Sequence, residues 1–186
     1  FILLNIPVFY YLWREIKKSL QFFEDLTARY LGRTTKIPLG TVFAVAEGVE
    51  ARVFALQGVL HYEARINLTQ NPGVLIVRRF KFLKMMPGLD YSPGRSRVVF
   101  EDPVDDFYSF QGKNAEWIRE VFDRRIRERL RMEGRIARME VNHQRFLGRI
   151  MLWKFTPKEQ ALAYESVDLL NTILSRVLTS SLSAAP

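Results

Sequence analysis

Cysteine is absent from the 186 residues. That excludes disulfides, thiolate nucleophiles and cysteine-ligated zinc or iron–sulfur centres. Histidine is scarce: His61 and His143 stand alone, and no other ligand lies at metal spacing from either. No serine sits in a nucleophile-elbow pattern. Gly112-Lys113-Asn114 briefly resembles the end of a phosphate loop, but Phe107 stands where the first glycine belongs and no hydroxyl residue follows the lysine. Long apolar runs are also missing. Phe1 to Trp13, interrupted by Asn5 and Pro7, falls short of the roughly 20 residues that span a bilayer. No internal repeat or low-complexity linker breaks the chain. With no catalytic constellation in sight, a protein without enzymatic activity, metal or cofactor is expected.

What is present is globular in composition, nearly half hydrophobic and a quarter charged. The formal charge is +8, carried far more by arginine than by lysine. This balance favours acidic partners: nucleic acid, anionic lipid or an acidic protein neighbour. The chain opens on phenylalanine, as expected of a stretch that lacks its native start. Its apolar end, with Phe1, Ile2, Leu3, Leu4, Tyr10, Tyr11 and Trp13, reads as a membrane or partner contact, with the aromatics suited to headgroup level. The competing reading is a segment that covers the protein's own core.

From Phe9 to Tyr30 the apolar residues recur three or four apart, which predicts an amphipathic helix ending near Gly32. Residues 1–32 are thus an apolar segment and helix. Residues 37–112 predict an antiparallel meander of about five strands. Thr41–Ala46 and Val49–Leu56 flank the turn Glu47-Gly48. Val59–Leu68 alternates strictly, with Leu60, Tyr62, Ala64, Ile66 and Leu68 on a core side and His61, Glu63, Arg65 and Asn67 on a wet side. Asn71-Pro72-Gly73 supplies a turn into Val74–Leu83, predicting a hairpin of these two strands. Arg97–Phe100 and Phe107–Phe110 are short candidates either side of the acidic loop Glu101 to Asp106. That loop lacks the spacing of a calcium site and reads as a solvated turn.

Residues 114–183 predict a helical pair. Asn114 caps a long helix running to about Ile150, roughly 54 Å at 1.5 Å per residue. Its apolar stripe takes in Ile118, Phe122, Ile126, Met132, Ile136, Met139, His143, Leu147 and Ile150. Thr156-Pro157-Lys158-Glu159 starts a shorter helix, with Ala163, Val167, Leu170, Leu174 and Val177 along its apolar side. The class is one α+β domain. The long helix also carries Arg124, Arg127, Arg131, Arg135 and Arg138, candidates for an electrostatic surface. Interspersed glutamates weaken any hold on phosphates, so a solvated face competes with that reading.

These features together predict a non-catalytic accessory subunit of a large membrane-associated assembly, organellar and at the mitochondrial inner membrane. Its partners are expected to be other protein subunits, with anionic lipid beside them. The alternative is an RNA-binding subunit of an organellar ribosome or similar ribonucleoprotein. A small-ligand-binding domain, with helices curled over a sheet, is a third class.

Overall fold

The computed structural model describes residues 6–36, 38–56, 58–79, 94–133, 135–152 and 156–180. Helix α1 (Ile6–Arg29) leads into four strands, β1 (Arg33–Lys36), β2 (Leu39–Ala46), β3 (Val49–Leu56) and β4 (Val59–Arg65). Strands β5 (Val74–Arg78), β6 (Ser96–Val98) and β7 (Tyr108–Gly112) follow. Then come α2 (Ala115–Val121), α3 (Arg124–Glu133), the hairpin β8 (Ile136–Val141) and β9 (Arg145–Met151), and helix α4 (Pro157–Thr179). The class is α+β with a helix at each end, as the sequence predicts. The sheet is larger than expected: among the described residues it has nine strands in the order β1-β2-β3-β4-β9-β8-β5-β7-β6, and every paired neighbour is antiparallel.

The helices lie on one side of this sheet. Helix α1 ends in a Schellman-type turn, with Leu31 at φ 51° and the Gly32 amide donating to the Thr27 carbonyl at 2.9 Å. Its Phe22, Phe23 and Leu26 are buried, and the Thr41 hydroxyl of β2 donates to the Phe23 carbonyl at 3.0 Å. Helix α4 starts where its capping sequence says, with Thr156 Oγ1 accepting from the Glu159 amide at 3.3 Å. Ala163, Val167, Leu170, Leu174 and Val177 are all buried. Gly148 of β9 lets this helix close on the sheet, because a Cβ there would stand 2.7 Å from Leu170 Cδ1. The two terminal helices are also tied to each other. Arg29 Nη2 lies 2.5 Å from Asp168 Oδ2, and the Tyr30 hydroxyl donates to the other oxygen of that carboxylate. Burial, and then this hydrogen bond to Asp168, push the Tyr30 hydroxyl well above its ordinary pKa.

The expected long helix from Ala115 to Ile150 does not form. Phe122 leaves the helical region at φ −99°, ψ 62°, and Asp123 restarts the chain by accepting from the Ile126 amide at 2.9 Å. Helix α3 then ends at Glu133, and the rest of the expected stripe is the β8–β9 hairpin. Asn142 makes its turn, its side-chain oxygen accepting from the amides of Gln144 at 2.9 Å and Arg145 at 2.8 Å. His143 is therefore exposed at a turn and not on an apolar stripe, and Met132 is 79% exposed.

The hairpin of Val59–Leu68 with Val74–Leu83 is likewise replaced. Strand β4 pairs with β9, and β5 pairs with β8 and β7. After β4 the chain runs past the tip of the β8–β9 hairpin, the Ile66 amide donating to Gln144 and the Leu68 amide to His143. It then continues on the hairpin's far side. Residues 80–83 of the expected strand lie outside the described residues.

Candidate functional site

Because side chains alternate across a strand, the register sorts this sheet into two faces. Phe43, Ala51, Val53, Leu60, Tyr62, Phe146 and Ile150 face the helices and are buried. On the opposite face one row of directly paired residues crosses the sheet: Arg33, Val42, Arg52, Glu63, Leu147, Glu140, Leu75, Gln111 and Arg97. A second row carries Phe54, His61, Arg149 and Arg138. Arg65 and Arg145 sit directly opposite each other in a third. The face is closed toward β5 and β7, where Leu75, Ser109 and Gln111 are buried, and open over β2, β3, β4 and β9.

The open part holds a groove of about 840 Å³. Its lining combines the small residues Ala44, Ala46 and Gly48 with the long side chains of Arg33 and Arg52. A bulge between Ala44 and Ala46 adds local twist at this end of the β2–β3 hairpin. Arg33 is held by Glu50 at 3.0 Å. Among the described residues Arg52, Arg65, Arg145 and Arg149 have no carboxylate partner, and neither does Glu63 have a cation. Arg52 lies over the Phe54 ring at 5.0 Å, and its Nε is buried without a hydrogen bond. Phe54 stacks on His61 with ring centroids 5.1 Å apart. Burial lowers the His61 pKa, Arg149 adds to the effect and Glu63 opposes it.

The sequence-predicted arginines do not form one surface. Arg124, Arg127 and Arg131 line a smaller cleft of about 430 Å³ between α3 and the turn Pro103–Asp106. Within it Arg127 is structural. Its Nε donates to Asp102 at 2.5 Å, its guanidinium lies 4.3 Å from the Phe100 ring centroid, and its side chain is 15% exposed. Arg124 pairs with Glu128 in solvent at 2.9 Å. Arg135 is bonded to Glu159 of α4 at 2.6 Å, and Arg138 pairs with Glu140 on the opposite sheet face at 2.5 Å. The acidic loop is equally committed. Asp102 caps its 3₁₀ turn, and Asp105 accepts from the Phe100 and Glu101 amides, both at 2.9 Å. Among the described residues no three His, Asp or Glu side chains gather at metal-binding distance.

The amino-terminal candidates fall on α1. Phe1, Ile2, Leu3 and Leu4 lie outside the described residues, and Tyr10 and Tyr11 belong to the helical backbone. Trp13, Ile16, Leu20 and Phe23 form a single stripe three or four residues apart. Phe23 is buried, whereas Trp13, Ile16 and Leu20 are 51%, 56% and 40% exposed. The stripe thus leaves the core while staying apolar. Arg14 and Lys17 are exposed beside it, and Lys17 Nζ lies 4.6 Å over the Trp13 ring. Among the described residues no helix is long and apolar enough to cross a membrane.

Sequence reasoning missed the arginine groove because, of the five strands that line it, β1 was not expected and β9 was taken into the long helix. The signal was there in β4, where alternation already set His61, Glu63 and Arg65 on a wet side.

The fold and these surfaces define a two-layer α+β protein with helices on one side of an antiparallel sheet. No protein-family model and no curated protein matches the chain. A solved structure that is similar is the mycobacterial trehalose monomycolate transport factor A, TtfA. The match covers 87% of this chain and 86% of that one at 12% identity, with a TM-score of 0.51. At that identity the likeness is one of fold.

Proposed function

We propose that the chain is a non-catalytic accessory subunit of a membrane-associated assembly, seated at the bilayer surface by α1 and meeting other protein subunits there. The observation that carries this reading is the stripe Trp13, Ile16 and Leu20, which continues the buried line of Phe23 out into solvent. A helix with apolar residues on one side and Arg14, Lys17 and Lys18 on others suits an interface rich in anionic lipid. The preceding apolar residues extend the same character. An organellar setting at the mitochondrial inner membrane belongs to the same proposal and rests on composition.

Fractionation of the native source tests it. The protein should stay with membranes through a high-salt wash and co-purify with other subunits after detergent extraction. Release by salt alone as a soluble protein would overturn the reading. Co-purification lost on nuclease treatment would favour the ribonucleoprotein alternative instead.

A further inference from the structure

The open face of the sheet brings together three arginines that have no ion-pair partner among the described residues. Arg65 and Arg145 are directly opposed on β4 and β9, and like charges in that position repel. Arg52, one strand over, directs a third unpaired guanidinium to the same groove. At the ordinary spacing of about 4.8 Å between neighbours, β3, β4 and β9 together span about 10 Å, within reach of one compact anion. Glu63 is the one unpaired carboxylate among them, since Glu50 is engaged by Arg33. Next to this cationic end the groove continues over Val42, Ala44 and Leu147, uncharged side chains on the same face.

We propose that this groove binds one anionic amphiphile in monomeric form, its carboxylate or phosphate head on Arg52, Arg65 and Arg145 and its acyl chain over Val42, Ala44 and Leu147. Charge complementarity selects the head, and the uncharged floor selects the chain. A volume of about 840 Å³ is in the range of small-molecule sites and far beyond a lone phosphate. The same face argues against RNA. An extended phosphate backbone would have to cross Glu50, Glu63 and Glu140, and Phe54, already stacked between His61 and Arg52, offers no free platform for a base. The proposal stands independently of α1, which lies on the other side of the sheet.

Oleate below its micellar concentration is the probe, displacing a fluorescent fatty acid from the full chain. Saturable one-to-one binding is expected, at least tenfold tighter than for uncharged oleyl alcohol. Arg65→Gln with Arg145→Gln should weaken oleate at least tenfold while leaving the melting temperature unchanged or higher, because a repulsive pair has been removed. Ala44→Phe, which fills the floor and adds no charge, should also weaken it. Glutamine at Trp13, Ile16 and Leu20 should not, which separates this site from membrane seating by α1. The proposal is overturned if oleate binds no better than the alcohol, if binding does not saturate, or if the arginine variants bind as the wild type does. A short RNA that binds the same arginines with steep salt dependence would also overturn it.

Discussion

Replacing Trp13, Ile16 and Leu20 together by glutamine separates a surface stripe from a core one. Glutamine forms helix about as well as leucine and slightly better than isoleucine or tryptophan, so α1 should persist. Burying an isoleucine or leucine side chain completely contributes about 1.5–3 kcal/mol. Roughly half of each of these three side chains is still in water, at 51%, 56% and 40% exposure. Covering the remainder is therefore worth on the order of 3–4 kcal/mol, or 10²–10³-fold in affinity at about 1.4 kcal/mol per decade. The folded chain should hardly notice the change. Surface substitutions usually stay within about 0.5 kcal/mol, which is about 2 °C for a chain of this size. Flotation with vesicles of phosphatidylcholine and phosphatidylglycerol, read beside thermal unfolding, measures both quantities. A loss of partitioning near 10² with an unchanged melting temperature is expected. Wild-type partitioning by the triple variant would refute the membrane reading of α1. A melting temperature lowered by 10 °C would show that the stripe packs within the chain and not on a bilayer.

Gly148→Ala places a methyl carbon 2.7 Å from Leu170 Cδ1. It should cost about 1–3 kcal/mol by overpacking and be partly rescued by Leu170→Val, as thermal unfolding of the single and double variants will show. Arg127→Gln should destabilise by about 2–3 kcal/mol, since it strips Asp102 of a partly buried partner, whereas Arg131→Gln should stay within about 0.5 kcal/mol. For Asp123, burial alone would raise the carboxyl pKa, but the Ile126 amide and Arg176 outweigh it and hold it below the usual value. The contribution of this cap is thus complete above the unfolded carboxyl pKa and is lost as pH falls through the folded one. Asp123→Ala should cost about 1 kcal/mol near neutrality, and the gap from wild type should close in acid unfolding curves below about pH 4.

The outer parts of the fold were legible because their signals are local. The α1 and α4 stripes repeat every three or four residues, Thr156 and Asn114 announce their caps, and β4 alternates cleanly. The β8–β9 hairpin hid for a physical reason. The bulge between Ile136 and Arg138 sets two core residues, Ile136 and Met139, three apart, which is helical spacing. In β9 the buried positions are Phe146, Gly148 and Ile150, while Leu147 and Met151 lie on the open face. A glycine inside and two apolar residues outside cancel the contrast by which a strand is recognised. The pairing of β4 with β9 carries no local signal at all. The arginines were legible as a charge excess but not as a site, since Arg52, Arg65 and Arg145 meet only through that pairing.

The position of the late hairpin also decides the order in which this sheet can be made. Strands β1 to β4 pair with their sequence neighbours, but the next partner of β4 arrives about 80 residues later, as Arg65 opposite Arg145. At roughly 5–20 residues per second, a nascent chain holds the β4 edge open for about 4–16 s. During that time β4 offers unpaired amides and carbonyls to any other strand in reach, including β4 of a neighbouring chain. The β5–β7 unit waits beside it with an open edge of its own. Chains stopped before Ile150 should therefore aggregate rather than linger as half-folded monomers, and the hairpin joining two waiting edges is where the slow, nonlocal step of folding falls.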